Sequence, residues 1–464
     1  DLAYEFIKLG QTDELLRNYK KFEKKIMESK QNTEEYRINL HNKPKEYFFQ
    51  STSDSMSMWL SWKEKILFEP NKSTNDFQYS DEFYLNGFIK NNIYLSSKFS
   101  MHRHSGRTIW ISDEYNGEWV KYFPTIDMNF WYTNQTSLYI KNSVLDIEIA
   151  NNPFSWGWSS GRSPIIAANA IPFNRISLYK NIGSLRLEYF HGSLLASSIQ
   201  NIHLSNTKKE KFIAGHRAQI KINNNLYTSF SELVVYGNRS PEIGYLNPIS
   251  FYWSQEHNLG DLDNILMAFD ISYRIIPGLI VYNTLLIDEL SWQDIISDWW
   301  GNKYSYQIGL FFTSSNMSLP DLRLEYNVTR PWTYTHPDFS YAHREKSLGS
   351  PHGPSSKVLR LESFYFPTPK IIIESSFEHI IKGAGSGGNI LDDYDNRDKE
   401  MDWDTDFFLN TKNKISELNT TFNYIFSDLL KIRSTYSITQ TVDPYARNSK
   451  NTSEKFILGL DFSW

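Results

Sequence analysis

Apolar and polar residues alternate one by one along most of this chain, from about residue 47 to its end. In one segment, Leu185, Leu187 and Tyr189 alternate with Arg186 and Glu188. The same alternation recurs in segments 217–222, 322–327 and 431–436. Because neighbouring side chains of a β-strand point to opposite faces, this period predicts strands with one apolar and one polar face. The polar positions often carry full charges, which fits a water-filled lumen better than the core of a soluble sandwich.

The end of the chain shows the alternation most clearly. Five apolar residues occupy every second position and stop at an aromatic residue: Phe456, Leu458, Leu460, Phe462 and Trp464. This pattern is typical of the terminal strand of an outer-membrane β-barrel, which ends at the membrane boundary. The alternative is an ordinary amphipathic edge strand that happens to be the last one.

Composition agrees with a barrel and excludes several other classes. The chain has 464 residues, with 29 Tyr, 30 Phe and 14 Trp, but its mean hydropathy is only −0.50. A barrel is rich in aromatic residues, and averaging over its lipid-facing and lumen-facing sides gives a low mean hydropathy. No stretch approaches the roughly 20 apolar residues that a spanning helix needs. The net charge of −5 gives no basic field for nucleic acid, so we expect no nucleic-acid partner.

The first 46 residues have a different period. Leu2, Phe6 and Leu9 have helical spacing, and Leu15, Tyr19, Phe22 and Ile26 repeat it. We therefore predict two parts, a periplasmic helical segment at 1–46 and an outer-membrane barrel at 47–464. The absence of cysteine suits passage through an oxidising periplasm, although it is also common in cytosolic proteins. A removed signal peptide is the favoured explanation of a chain that begins at Asp1.

Four groups of short motifs give the chain a family resemblance. They are Trp156-Gly157 to Gly161-Arg162 with Ala167–Pro172 and Phe190–Ser193; His216-Arg217, Ser231-Glu232, Tyr236-Gly237 and Tyr245–Pro248; Asp263-Asn264, Asp270 and Leu286–Glu289; and Glu325-Tyr326, Tyr334–His336, Tyr341–His343, Leu348-Gly349 and Gly353-Pro354. In this order and spacing, over about residues 150–360, the chain resembles the Wzi-like capsule-assembly proteins. The family's Trp-Gly-Pro-Gly-like turn is here Trp156-Gly157-Trp158-Ser159.

The resemblance implies a fold, a partner and the absence of an activity. The fold is a closed antiparallel barrel of about 18 strands in the outer membrane, with a short N-terminal helical element at its periplasmic end. The implied function is non-enzymatic binding or attachment of surface polysaccharide, either capsular or exopolysaccharide. The surroundings would be outer-membrane lipid and lipopolysaccharide. A diffusion porin for small solutes and a structural subunit with protein partners in the outer membrane are the alternatives.

Aromatic residues beside polar ones in the connections between strands are the candidate polysaccharide site. Aromatic rings stack on the apolar faces of sugars, and polar groups bond to the hydroxyls. The candidate residues are Trp156, Trp158, Arg162, Asp298, Trp299, Trp300, Trp332, Tyr334 and His336. For any single cluster, the competing explanation is the aromatic girdle that anchors every membrane barrel.

Other chemistry is less well supported. The chain has no nucleophile elbow, no His-Glu-x-x-His and no phosphate-binding glycine loop, so we predict no catalytic residues. The spacing of His336, His343 and His352 is irregular, and we expect neither a metal nor a cofactor. Eight carboxylates between 392 and 406 predict a solvated outer loop, bridged to lipopolysaccharide by divalent ions. Inward charges such as Arg217 and Arg323 either line a water pathway or lock folded-in segments by salt bridges, and we favour the lock.

Overall fold

Eighteen antiparallel strands form one closed sheet. The computed structural model describes residues 49–53, 55–70, 76–90, 92–105, 120–159, 161–197, 210–291, 293–294, 297–313, 319–368, 370–408, 412–427, 429–443 and 449–463. The first nine strands are β1 (Met56–Glu69), β2 (Asp76–Ile89), β3 (Ile93–Ser105), β4 (Met128–Ile140), β5 (Asp146–Asn151), β6 (Asn174–Ile182), β7 (Leu185–Leu195), β8 (Glu210–Lys221) and β9 (Leu226–Gly237). The other nine are β10 (Asn264–Ile276), β11 (Leu279–Glu289), β12 (Lys303–Phe312), β13 (Asp321–Thr329), β14 (Ser356–Thr368), β15 (Ile371–Gly383), β16 (Lys412–Ile425), β17 (Leu430–Asp443) and β18 (Ser449–Ser463).

The sheet closes because β1 pairs with β18. Lys63 lies opposite Ser463 and Phe68 lies opposite Leu458, so this seam contains six residue pairs. The rest of the same edge of β1 pairs with a short strand, Phe49–Ser53, which folds back as a hairpin. The expected closed antiparallel barrel of about 18 strands is thus confirmed. The helical segment expected at 1–46, and Trp464, lie outside the described residues.

The two ends of the barrel differ in the length of their connections. At the end that holds Met56 and Ser463, the turns are short, such as Gly183-Ser184 and Pro277-Gly278. The longest described connections, 152–173, 238–263, 330–355 and 384–411, lie at the opposite end. We refer to these as the turn end and the loop end. This asymmetry is usual for membrane barrels, whose short turns face the periplasm.

The outward face of the strands is apolar, as the alternation predicts. On β18 the outward residues Phe456, Leu458 and Leu460 are 39, 42 and 36% exposed. The neighbouring strand β17 continues the surface with Ile432 and Tyr436, and Ile432 pairs with Leu460. Residues at the alternate positions point into the barrel. A surface of this kind is stable only beside lipid, because water would solvate these side chains unfavourably.

Two loop-end connections fold back into the barrel and fill one side of it. Residues 152–173 contribute Phe154, Trp156, Ile165 and Ile166 to a buried cluster, and residues 330–355 contribute five residues from Tyr334 to Leu348. Inward side chains of β7–β11, among them Ile213 and Leu266, complete this cluster.

The wall makes room for this filling by using glycine on β8. A Cβ atom on Gly215 would lie 2.7 Å from the ring of Phe190 and 3.0 Å from that of Trp156. Glycine at this position therefore lets the folded-in segment reach the wall.

Two short helices lie in the connection between β9 and β10. They are α1 (Ile243–Leu246) and α2 (Tyr252–Leu259). Their buried residues Tyr245 and Tyr252 pack against Ala214, Val234 and Tyr236, which are outward positions of β8 and β9. This connection therefore covers the outside of the wall. No helix in the described part of the chain is long and apolar enough to cross a membrane.

Candidate ligand-binding site at the barrel mouth

The candidate site residues fall into two groups that the fold separates. Trp156, Trp158 and Arg162 belong to the connection 152–173 inside the barrel, and Tyr334 packs against the same connection. Asp298, Trp299 and Trp300 lie in the connection between β11 and β12 at the loop end, where Trp332 and His336 join them. The sequence alone treats all nine residues as one kind of loop residue.

The group inside the barrel is mostly packed against protein. Trp156 is 3% exposed, and its Nε1 donates a hydrogen bond to Glu188 over 3.0 Å. Tyr334 is fully buried and its hydroxyl donates to the carbonyl of Pro164 at 2.7 Å. Burial raises the pKa of Tyr334 above its ordinary value. Trp158 is half-buried and packs against Tyr227. These contacts hold the folded-in connections in place.

Arg162 anchors the same connection to the opposite part of the wall. Its guanidinium donates to Glu378 at 2.8 Å, and His352 lies 3.1 Å from the same carboxylate. Arg360 also approaches Glu378, at 3.5 Å, and forms a 2.6 Å ion pair with Glu362. Burial lowers the pKa of Arg162. A cavity of about 20 Å³, large enough for one water molecule, lies within this network.

Five aromatic residues from three connections meet at the loop end and form the mouth cluster, which consists of Trp299, Trp300, Trp332, Tyr394 and Trp403. The ring centroid of Trp299 lies 6.0 Å from that of Trp300 and 6.1 Å from that of Trp403. Trp300 also lies 5.6 Å from Tyr394 and 6.5 Å from Trp332. Trp403 is 64% exposed, whereas Trp332 is 3% exposed. The cluster therefore has a buried base and an exposed edge.

Cations cover the inner rings of the mouth cluster. The guanidinium of Arg397 lies 3.7 Å from the ring centroid of Trp300 and forms two hydrogen bonds with Asp402, at 2.8 and 3.0 Å. The ammonium of Lys303 lies 4.6 Å from Trp300 and 4.0 Å from Tyr394. Cation–π contacts hold such rings in a fixed orientation. The cluster therefore offers aromatic faces together with charged hydrogen-bonding groups.

Backbone hydrogen bonds join the three connections. The amide of Trp300 donates to the carbonyl of Asp402 at 2.8 Å, and that of Thr405 donates to Asp298 at 3.1 Å. The amide of Trp332 donates to Gly387 at 2.9 Å. Gly387 has a φ of +89°, and a Cβ atom there would lie 2.4 Å from the Trp332 ring, so only glycine fits. The mouth cluster is thus built on a connected framework.

His336 borders the mouth cluster as a neutral acceptor. Its Nδ1 accepts hydrogen bonds from the amides of Asp338 and Phe339, at 3.2 and 3.1 Å. Its ring stacks on Phe339 and contacts Tyr394 edge-on. Burial lowers the pKa of His336 to about 4. His336 therefore stabilises the turn that leads back into the barrel.

The other side of the barrel is lined by charged inward side chains that keep partial exposure. Lys65 and Lys98 lie 2.8 and 2.9 Å from the buried carboxylate of Glu82. The side chains of Lys65, Lys98 and Arg433 are 21, 25 and 32% exposed. In the described part of the lumen, side chains are closely packed beside β7–β11, whereas the cations beside β1–β3 and β17–β18 keep partial exposure. We call the second region the hydrated side.

Comparison with solved structures establishes the class of the fold. Wzi of Escherichia coli, an outer-membrane protein involved in group 1 capsule assembly and described as a carbohydrate-binding β-barrel, aligns with a TM-score of 0.55 and 10% identity over 92% of this chain and 87% of Wzi. OccAB2 of Acinetobacter baumannii gives 0.49 and 11% over 89 and 98% of the two chains. OprD of Pseudomonas aeruginosa gives 0.46 and 10% over 87 and 94%. No family model and no curated protein matches the sequence.

The chain is a bacterial outer-membrane β-barrel. Its turn end therefore faces the periplasm and its loop end faces the cell exterior. The mouth cluster therefore lies on the extracellular side.

Sequence reasoning missed part of the mouth cluster. Tyr394, Arg397 and Trp403 lie in the acidic segment 392–406, for which the sequence predicts only a solvated outer loop. The signal that could have found them is the pair of aromatic residues within a run of carboxylates. Their contacts with Trp299 and Trp300 depend on loop folding, which the alternation of the strands does not report.

Proposed function

We propose that this barrel is a non-enzymatic protein that binds surface polysaccharide, capsular or exopolysaccharide, at its extracellular mouth. The observation that carries the proposal is the mouth cluster, in which aromatic rings and charged groups from three connected loops pack together and leave Trp403 and Asp298 exposed. Carbohydrate binding by Wzi, a barrel with a similar fold, supports the same function. The surrounding partners would be outer-leaflet lipid and lipopolysaccharide.

In this proposal the candidate residues have different roles. Trp403 is 64% exposed and the carboxylate of Asp298 is 71% exposed, so a sugar chain would contact these two groups directly, with the partly exposed ring of Trp299 beside Trp403. Trp300 and Trp332 position them from below, and Trp156, Arg162 and Tyr334 hold the folded-in connections. Such an open site binds each sugar unit weakly. Retention would come from many repeats of one polymer that contact many barrels.

Loss of the exposed rings tests the proposal. Replacing Trp299 and Trp403 by Ala should loosen cell-bound polysaccharide without lowering the amount of folded barrel, because Trp403 is exposed and Trp299 lies partly exposed beside it. The measurement is polymer retained on cells relative to barrel abundance in the same membranes. Phe426→Ala, at an aromatic residue that is 60% exposed in a periplasmic turn, is the matched control. Equal retention by the two variants would contradict the proposal.

A second function, diffusion of small solutes, is favoured by one observation. The hydrated wall beside β1–β3 and β17–β18 carries Lys65, Lys98 and Arg433, as expected for a water-filled passage. Ion conductance through single barrels in planar bilayers separates the two functions. A stable conductance in the native protein would support diffusion, whereas polymer binding requires none.

A further inference from the structure

The connection between β9 and β10 folds over the outside of the barrel wall. We name residues 239–263 the outer flap. It contains α1 and α2 and lies over the ends of β8, β9 and β10 that are nearest the cell exterior. The polysaccharide proposal makes no use of it.

An outward-pointing carboxylate holds the outer flap on the wall. Glu232 lies on the face of β9 that points away from the lumen, yet it is fully buried. It accepts hydrogen bonds from the amides of Tyr252 and Trp253, at 2.9 and 2.8 Å, where α2 begins. His216 lies 3.1 Å from the same carboxylate. A charged group on the outside of a membrane barrel is thus satisfied by the start of a helix.

A second set of polar contacts closes the far end of the flap. The hydroxyl of Tyr245 donates to Asp263 at 2.7 Å. Arg239 binds both oxygens of the same carboxylate, at 2.9 and 2.6 Å. Both ends of the flap are therefore joined through Asp263. The flap has a fixed position on the wall.

The flap exposes large apolar side chains, most of them between Ile243 and Trp253, and it exposes polar ones along the rest of α2, such as His257 and Asn258. We call the first set the apolar face of the flap. Ile249 is 88% exposed, Phe251 50% and Trp253 48%. Ile243, Leu246 and Leu262 are 80, 43 and 64% exposed. Exposed apolar side chains gathered in one short segment indicate an interaction surface.

The apolar face of the flap continues the lipid-facing surface of the same strands. Phe230 and Phe269 lie opposite each other, one outward position below Glu232, and Phe269 is 48% exposed. Ile271 and Tyr273 extend this surface toward the periplasm, with 44 and 47% exposure. The flap therefore begins where the bare lipid-facing wall ends.

We infer that the outer flap inserts Ile249, Phe251 and Trp253 among the acyl chains of the outer leaflet. The continuity of its apolar face with the lipid-facing wall selects lipid as the occupant. A segment that lies in the membrane interface with its apolar side chains toward the acyl region is a stable arrangement, and Trp is favoured at that interface. The flap is thereby a lipid-contacting collar on one side of the barrel.

Single cysteines can test the insertion cleanly because the chain has none. The variants Ile249→Cys, Phe251→Cys and Leu262→Cys would each carry an environment-sensitive fluorophore in vesicles of phosphatidylcholine and phosphatidylglycerol. Nitroxide-labelled phosphatidylcholine quenches from the acyl region, and iodide quenches from water. Phe269→Cys on the lipid-facing wall and Glu400→Cys on an exposed loop are the two reference positions. Heat-modifiable migration confirms folding of each variant.

The two quenchers distinguish the outcomes. Insertion predicts that the fluorophores at Ile249 and Phe251 are quenched by the labelled lipid as at Phe269 and are protected from iodide. Quenching by iodide as at Glu400 would overturn the inference and place the flap in water. Protection from both quenchers would also overturn it, because the face would then be covered by protein. Leu262→Cys gives an independent reading if either substitution prevents folding.

Discussion

Arg217 connects three strands of the wall from inside the lumen. Its guanidinium binds Asp270 on β10 through two hydrogen bonds, at 2.6 and 2.8 Å, and donates to Ser229 and Ser231 on β9. Both charged side chains are almost fully buried. A buried charge is tolerated only when its hydrogen bonds are satisfied, so this pair is matched as a unit.

Replacing one residue of the Arg217–Asp270 pair should therefore lower the free energy of unfolding more than replacing both. We expect Asp270→Ala to lower the free energy of unfolding by about 3–5 kcal/mol, because it leaves a buried guanidinium unpaired. The double variant Arg217→Met, Asp270→Leu should recover most of that loss. Urea unfolding in lipid vesicles measures both. A single variant as stable as the double one would show that the pair is not coupled.

The lowered pKa of His336 predicts that the stability of the barrel depends on pH. Its pKa is lowered from 6.5 to about 4, so the unfolded chain takes up the proton first as the pH falls. The stability from His336 is therefore complete above about pH 6.5 and is lost as the pH falls toward 4. Urea unfolding at three pH values in this range should show a steeper loss than in His336→Gln, whose amide oxygen accepts without titrating. Identical slopes would contradict the assignment.

The face of the strand on which Arg217 lies could be predicted from the sequence, but its hydrogen-bonding partner could not. Alternation places Arg217 on the lumen face because Ala218 and Ile220 belong to the other face. Nothing in the sequence pairs Arg217 with Asp270, because that contact depends on the register of two strands about fifty residues apart. The same limit applies to Arg397, whose ring partner Trp300 lies on another loop.

The strands themselves follow from their period, and the connections do not. The sequence locates the alternating runs of β7, β8, β13 and β17, which the structure confirms. It does not separate Trp156, which packs inside the lumen, from Trp253, which lies outside the wall. Both stand in polar, aromatic loops. Their positions are decided by contacts between loop and wall rather than by local pattern.

The last strand allows a matched test of the two faces. Leu460 points outward, and Leu460→Arg should lower the free energy of unfolding by about 2–4 kcal/mol if the residue lies near the bilayer centre. Ile457 points inward on the same strand, so Ile457→Arg should have a much smaller effect, because its charge can stay hydrated. Urea unfolding in vesicles compares the two. Equal losses would contradict the assignment of the faces.

Across the whole molecule, packing divides the lumen into two unequal sides. The folded-in connections fill the side beside β7–β11, and Arg162 ties one of them across the lumen to Glu378 on β15. The hydrated side carries paired but partly exposed charges. The sequence favours a salt-bridged lock over an open pathway. The pair of Arg162 with Glu378 fits such a lock, and an open pathway stays a prediction.

Removing the ion pair between Arg162 and Glu378 should widen the passage on the hydrated side. We expect Arg162→Ala to raise single-barrel conductance severalfold, because the connection 152–173 loses its ion pair with Glu378 and moves more freely. Planar-bilayer recordings measure the change. Arg433→Ala, which removes a cation from the hydrated wall without touching that connection, is the control and should alter ion selectivity more than conductance. Equal conductance in Arg162→Ala and the native barrel would show that Arg162 does not restrict the passage.

The seam between β1 and β18 has a consequence for how the barrel is made. Those strands stand at opposite ends of the chain, so their six pairs are among the last contacts that a growing sheet can form. Until then β1 presents an unpaired edge, whose backbone groups can pair with another chain and lead to aggregation. The hairpin strand Phe49–Ser53 needs only its immediate neighbour and covers residues 56–60 of that edge from the outset. This short strand therefore partly protects an incompletely folded barrel from pairing with the β1 edge of a second copy.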